Sequence, residues 1–162
     1  MAVFNTLIEE LIELLEDENS LSDIDFKEFY DNSPKLNPLK KVTIVFGFGS
    51  VKINDCAMND YLGSSSNGQL YSKEANFTVD FKIYTPQSMD ASEGIKALDN
   101  LCEVILFNNN ITEKSISIDA SKQNYDLKNF SFVISGCIKF KFAVSKENEE
   151  AAISNIIVKG VY

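Results

Sequence analysis

Twenty-four Asp and Glu residues, three cysteines and no histidine define the chemistry this chain can attempt. The missing imidazole removes Ser-His-Asp and Cys-His catalysis, the commonest transition-metal ligand and the usual proton shuttle. Carboxylates are what remain for acid and base work. The set Asp90, Glu93, Asp99 and Glu103, in "DASEGIKALDNLCEVILF", reads as cap and solvated-face groups rather than an acid/base pair. Composition alone supplies candidates for a glycosidase-like pair, but nothing in the spacing marks two acids as convergent. "NDCAMND" and "DIDFKEFYD" lack the ligand order and central glycine of a calcium loop. Cys56, Cys102 and Cys137 are far apart, odd in number and without CxxC spacing, which fits buried thiols in a reducing compartment rather than disulfides or a zinc site. The expectation is a non-enzyme with no catalytic residues, no metal and no cofactor.

The elements that would position such groups follow from periodicity. From Ala2 to about Asp17, Phe4, Leu7, Ile8, Leu11, Leu14 and Leu15 recur at helical spacing with Glu9, Glu10, Glu13 and Glu16 between them, an amphipathic helix. Its acidic side reads either as a solvated face or as a surface that meets a basic neighbour. A short helical turn is expected near Asp23 to Tyr30, and Pro34 and Pro38 mark an irregular approach to a sheet. From Val42 the period becomes two. Val42, Ile44, Phe46 and Phe48 share a face, whereas Val51 and Ile53 lie in the opposite phase, so a bulge or sharp bend at Gly47 and Gly49 is expected. A glycine-rich phosphate cradle is the other reading of "GFGS", but no GxxxxGK[ST] or GxGxxG pattern follows.

Asn59 to Glu74, rich in Ser, Gly and Asn, reads as a binding or assembly arm, or equally as a long hairpin. The clearest strand alternates Ala75, Phe77, Val79, Phe81 and Ile83 with polar residues, one face core and the other wet. Its partner comes late, with Phe130, Phe132, Ile134, Ile138, Phe140, Phe142 and Val144, and Gly136 inviting a bend or a close backbone approach. A shorter strand uses Ile116 and Ile118. Between them Pro86 stops a strand, Asp90 is placed to cap a helix, and Glu93 completes a capping-box-like pair. The helix stripe is expected along Ala91, Ile95, Leu98, Cys102 and Ile105, widened by Leu101 and Leu106.

The fold class expected is therefore α+β, a mainly antiparallel sheet packed on one face by a long amphipathic helix, with an additional N-terminal helix. One domain spans 1–162, with residues 1–33 as an N-terminal helical segment and 145–162 as a C-terminal extension; 162 residues suffice to bury roughly 70% of the unfolded chain's surface. The net charge of −9 opposes nucleic acid as a default partner. Apolar runs fall well short of the ~20 residues of a membrane span, and the acidic N-terminus is unlike a signal peptide. A soluble protein, kept in the cytosol until it assembles, is the expectation.

The order of these elements, with a helix introduced by "TPQSMDASEGIKALDNLCEVI" and late strands ending in "FSFVISGCIKFKF", resembles the tail-terminator, or collar, proteins of phage tails and contractile phage-tail-like bacteriocins. The likeness spans roughly Leu39 to Val144, in layout more than in motif. The resemblance implies an α+β subunit that forms a ring, typically a hexamer, capping the finished tail tube and receiving the last sheath ring where a sheath exists. It implies tube and sheath proteins as partners, and residence in the bacterial cytoplasm during assembly and then in the particle. It brings no catalytic residues. A head–tail connector or tail-completion protein is the nearest alternative reading, and a small-ligand-binding domain a more distant one.

Contacts would then come from Tyr61, Leu62, Leu70 and Tyr71 in the 59–74 segment, from Glu9, Glu10 and Glu13, and from the C-terminus. There a charged stretch, Lys146 to Glu150, precedes Ile153, Ile156, Ile157, Val158, Val161 and Tyr162. That ending reads as the last strand of its own sheet, or as a segment reaching a neighbouring subunit, with Ile156, Ile157 and Val161 as its contacts.

Overall fold

A computed structural model describes residues 3–28, 39–55, 61–65, 68–107 and 115–148, with side chains described over 7–28, 39–55, 73–107 and 116–141. The chain runs through helix α1 (Val3–Glu16), a 3-10 turn (Asn19–Leu21), strands β1 (Asp25–Glu28), β2 (Thr43–Asp55), β3 (Tyr61–Ser65) and β4 (Gly68–Pro86), helix α2 (Ser92–Phe107), and strands β5 (Ser115–Ala120), β6 (Asn124–Asp126) and β7 (Ser131–Asn148). The class is α+β. One sheet has the order β1-β2-β4-β7-β5, with β3 added beside β4 and β6 beside β7.

The sheet is mixed, not purely antiparallel. β1 pairs with β2 in parallel, Asp25 opposite Thr43 and Phe26 opposite Ile44. The sequence suggested a helical turn here, so the region 1–33 is not wholly helical. What overrides the local pattern is tertiary: the Asp25 amide donates to the Val42 carbonyl at 3.0 Å, and the Phe26 ring stacks on Phe46 with centroids 6.3 Å apart. Pro34, Pro38 and Tyr30 lie outside the described residues.

The change of phase in β2 is a bulge. Phe48 faces Val79 and Ser50 faces Thr78, so Gly49 is the extra residue and Ile44, Phe46 and Phe48 before it share a face with Val51 and Ile53 after it. A Cβ on Gly49 would stand 2.8 Å from Asp80 Oδ1 and 2.9 Å from the Thr78 carbonyl, so only glycine fits. The flanks run strand to strand, the geometry of a bent strand and not of a phosphate loop followed by a helix.

β4 and β7 pair antiparallel along their length, from Gln69 opposite Asn148 to Pro86 opposite Ser131. Phe77, Val79, Phe81 and Ile83 of β4 and Ile134 and Ile138 of β7 are buried on one face. Both helices close that face. Ile8, Leu11 and Leu15 of α1 and Ala97, Leu101, Val104 and Ile105 of α2 join the same core. Two helices of comparable length, 14 and 16 residues, share the cover in place of one long one.

The stripe of α2 is rotated from the expected one. Gly94, Ala97, Leu101, Val104 and Ile105 are buried, whereas Ile95 and Leu106 are 49% and 44% exposed and Cys102 is half-buried. The cause is the closeness of the helix to the sheet: the Gly94 position packs directly on Thr85 Oγ1, and any side chain there would collide with it. Asp90 does cap the helix, its Oδ1 accepting the Ser92 amide at 2.8 Å. Glu93 does not complete the box, because its carboxylate binds Lys96 Nζ at 2.7 Å.

Candidate interaction surface

Long strands make the first feature. β4 has 19 residues and β7 has 18, against the usual three to ten or so. Among the residues whose side chains are described, the core reaches along β4 to Ala75, and the strand continues from there to Gly68, roughly 23 Å at about 3.3 Å per residue. β3 flanks this extension on one side and the end of β7 on the other. Within the 59–74 segment, residues 61–65 and 68–71 pair as a hairpin, and residues 59, 60, 66 and 67 lie outside the described residues. Tyr61 faces Tyr71 across the hairpin, Leu70 faces Gly63, and Leu62 falls at an irregularity in the pairing. Residues 145–148, expected as extension, continue β7 opposite Gln69–Ser72.

Two cross-strand pairs fasten this end. Lys73 Nζ meets Asp55 Oδ1 at 2.7 Å, and Lys141 Nζ meets Glu74 Oε2 at 2.8 Å. The Lys141 hydrogen bond, with a second from Asn76, holds the Glu74 carboxyl below its ordinary range. Such pairs fix register more than they stabilise, since all four side chains keep water contact.

The core face of β2 carries exposed apolar residues toward this end. Phe48 and Ile53 are each 51% exposed, with half-buried Val51 between them. Phe48 rests its ring against Phe77, centroids 5.8 Å apart. β1 pairs with β2 only as far as Phe46; among the described residues nothing pairs with the outer edge of β2 beyond it. An unpaired edge next to exposed apolar side chains is a template for another strand.

The opposite end of the sheet presents a second apolar point, and it takes Phe130 out of the late strand to which periodicity assigned it, since β7 begins at Ser131. Leu127 and Phe130, 76% and 63% exposed, stand on the β6–β7 turn, and Phe130 adopts φ 47°. The turn is tied by Asp126, which accepts from the Lys128 amide at 2.9 Å and from Asn129 Nδ2 at 2.7 Å. Those bonds, Asn129 first, hold the Asp126 carboxyl below its usual range. Its signal in the sequence is "DLKN", an Asx-turn pattern. Phe130 lines a recess together with Leu39, Pro86 and Gln87.

Charge is segregated. Residues 3–18 carry six carboxylates and no lysine, and residues 90–107 carry four against one lysine, so the helical layer accounts for the chain's net −9. Glu9, Glu10 and Glu13 are exposed on it. The outer face of the sheet is mixed, with Lys52, Lys82, Lys139 and Lys141 beside Glu74, Asp80 and Asp119.

The chemical candidates are not gathered. Asp90 and Glu93 serve the cap and an ion pair, and Asp119 binds Lys139. Among the described residues no three Cys, Asp or Glu side chains converge as a metal site. Burial, with Asp99 adding to it, pushes the Cys102 thiol up, the reverse of what an activated thiolate requires. No helix among the described residues is long and apolar enough to cross a membrane. Cys56, Ile156, Ile157 and Val161 lie outside the described residues. No protein-family model and no curated protein matches this sequence.

Proposed function

We propose that the chain is a ring-forming assembly subunit at the head-proximal end of a phage or phage-like tail, capping the tail tube and, where one exists, the last sheath ring. A sheet packed by helices on one face and extended beyond its core is what this reading needs. The carrying observation is that extension, β3 with the ends of β4 and β7, together with the exposed Phe48 and Ile53 beside a strand edge that has no partner among the described residues. Such features suit a subunit that completes its surface against neighbours. The acidic helical layer offers a second surface, suited to a basic partner. The expected ring is a hexamer made of one chain, with tube and sheath proteins as its neighbours.

The experiment is purification of the full chain alone and together with its tail components, with mass measured in solution and particles imaged. A ring, alone or on tube ends, is the expected result. A chain that stays monomeric at high concentration and never copurifies with tube or sheath overturns the reading. A position between head and tail with no tube contact would identify a connector instead.

A further inference from the structure

The outer edge of β2 and the C-terminal segment have complementary requirements. The edge from Ser50 to Asp55 has no strand partner among the described residues, and its core-facing side presents Phe48, Val51 and Ile53. Chain continues for 14 residues past Asn148, the end of β7, and its composition changes from charged to apolar at Ile153. In an extended conformation Ile156, Val158 and Tyr162 fall on one face, with Gly160 between the last two. We propose that residues 151–162 of one copy add as a strand to the β2 edge of a second copy, Ile156, Val158 and Tyr162 lying beside Phe48, Val51 and Ile53.

Connectivity selects a second copy over the same chain. Asn148 sits opposite Gln69 on one side of β4, while Ser64 sits opposite Gln69 on the other. β3 therefore stands between the point where the tail departs and the β2 edge of its own chain. To reach that edge the tail would cross the ends of β4 and β3 and then reverse. β7 already runs away from the helical core where it ends, so a tail continuing outward meets a neighbour without reversal. Fourteen residues span roughly 45 Å at about 3.3 Å each, enough to bridge to an adjacent subunit and still lay down a strand. Main-chain hydrogen bonds would supply affinity and the alternate apolar side chains register. The edge is also a hazard in the isolated chain, which a tail from the next subunit removes.

This inference rests on the ring reading and deepens it by naming the joint. Hydrogen exchange on the full chain in its assembled form tests it. In the wild type the outward-pointing amides of Ser50–Asp55, every other one along the strand and not bonded to β4, gain protection as concentration or tube binding drives assembly. Val158→Lys in the tail speeds their exchange by about tenfold or more, the factor that 1.4 kcal/mol of lost contact produces. Adding excess synthetic peptide of residues 151–162 to that full-length variant restores protection. In full-length Ile53→Lys the peptide restores nothing. Protection of those outward amides that is independent of concentration means the edge is closed within one chain and overturns the proposal. A ring whose outward Ser50–Asp55 amides exchange freely, or one that Val158→Lys and the peptide do not affect, overturns the tail joint while leaving the ring intact. A chain that forms no ring under any condition defeats both.

Discussion

Phe81 and Gly136 face each other across β4 and β7, and the Phe81 ring occupies the space a side chain at Gly136 would need. A Cβ there would stand 2.5 Å from the ring tip and closer still to the Asp119 carbonyl of β5. Glycine at this place thus serves a close approach of three strands, with an aromatic ring laid over the backbone it leaves bare.

Gly136→Ala is expected to destabilise the protein by about 1–3 kcal/mol, the ordinary cost of overpacking a core, and Gly136→Val by more. Urea midpoints at constant slope measure it. Unchanged stability in Gly136→Ala would mean that β5 and Phe81 move aside freely.

The face of α2 that packs on the sheet is open to a paired test. Leu101→Ala removes a fully buried side chain and should cost about 2–5 kcal/mol. Ile95→Ala, on the exposed flank, should fall within about 0.5 kcal/mol of wild type. The reverse order in denaturant midpoints would restore the stripe through Ile95, Leu98 and Cys102.

Asp90 predicts a pH dependence of known sign. The backbone and side-chain bonds from Ser92 hold its folded carboxyl below the ordinary 3.8, so the cap's contribution is complete above that value and fades as pH falls through the depressed folded one. Asp90→Ala should therefore lower the denaturation midpoint near neutral pH, and Asp90→Asn much less, because asparagine also caps. Well below the folded value the gap between wild type and Asp90→Asn should close. A gap that widens on acidification contradicts the assignment.

Deleting Ser64 to Asn67 removes the last two residues of β3 and the two that join it to β4 in sequence, beyond Ala75, the last described core residue of β4. The thermal midpoint should stay close to wild type while ring or particle assembly fails. Assembly at wild-type yield would show that the hairpin tip makes no required contact.

Several elements could be read directly from residue order because their causes are local. α1 follows from Leu7, Ile8, Leu11 and Leu15 at helical spacing. The bulge in β2 follows from apolar residues that switch phase around two glycines, and Pro86 and Asp90 mark where β4 ends and α2 begins. For β4 and β7 the alternation was as plain as the pairing that resulted. In each case a few adjacent side chains decide the outcome.

Tertiary contacts decided the remainder. β1 is a strand because Phe26 finds Phe46, a partner 20 positions away that no local pattern of "DFKE" announces. α2 offered two overlapping apolar stripes, and hydrophobicity favoured the one with Ile95 and Leu106. The helix buried Gly94 and Ala97 instead, since small residues let its backbone approach Thr85 and the sheet. Residue types alone established a carboxylate-rich, histidine-free chain with its negative charge concentrated in two segments. Only the sheet order put both segments on one layer and left Phe48 and Ile53 beside an edge unpaired among the described residues, because pairing between distant strands determines which surfaces remain to meet a partner.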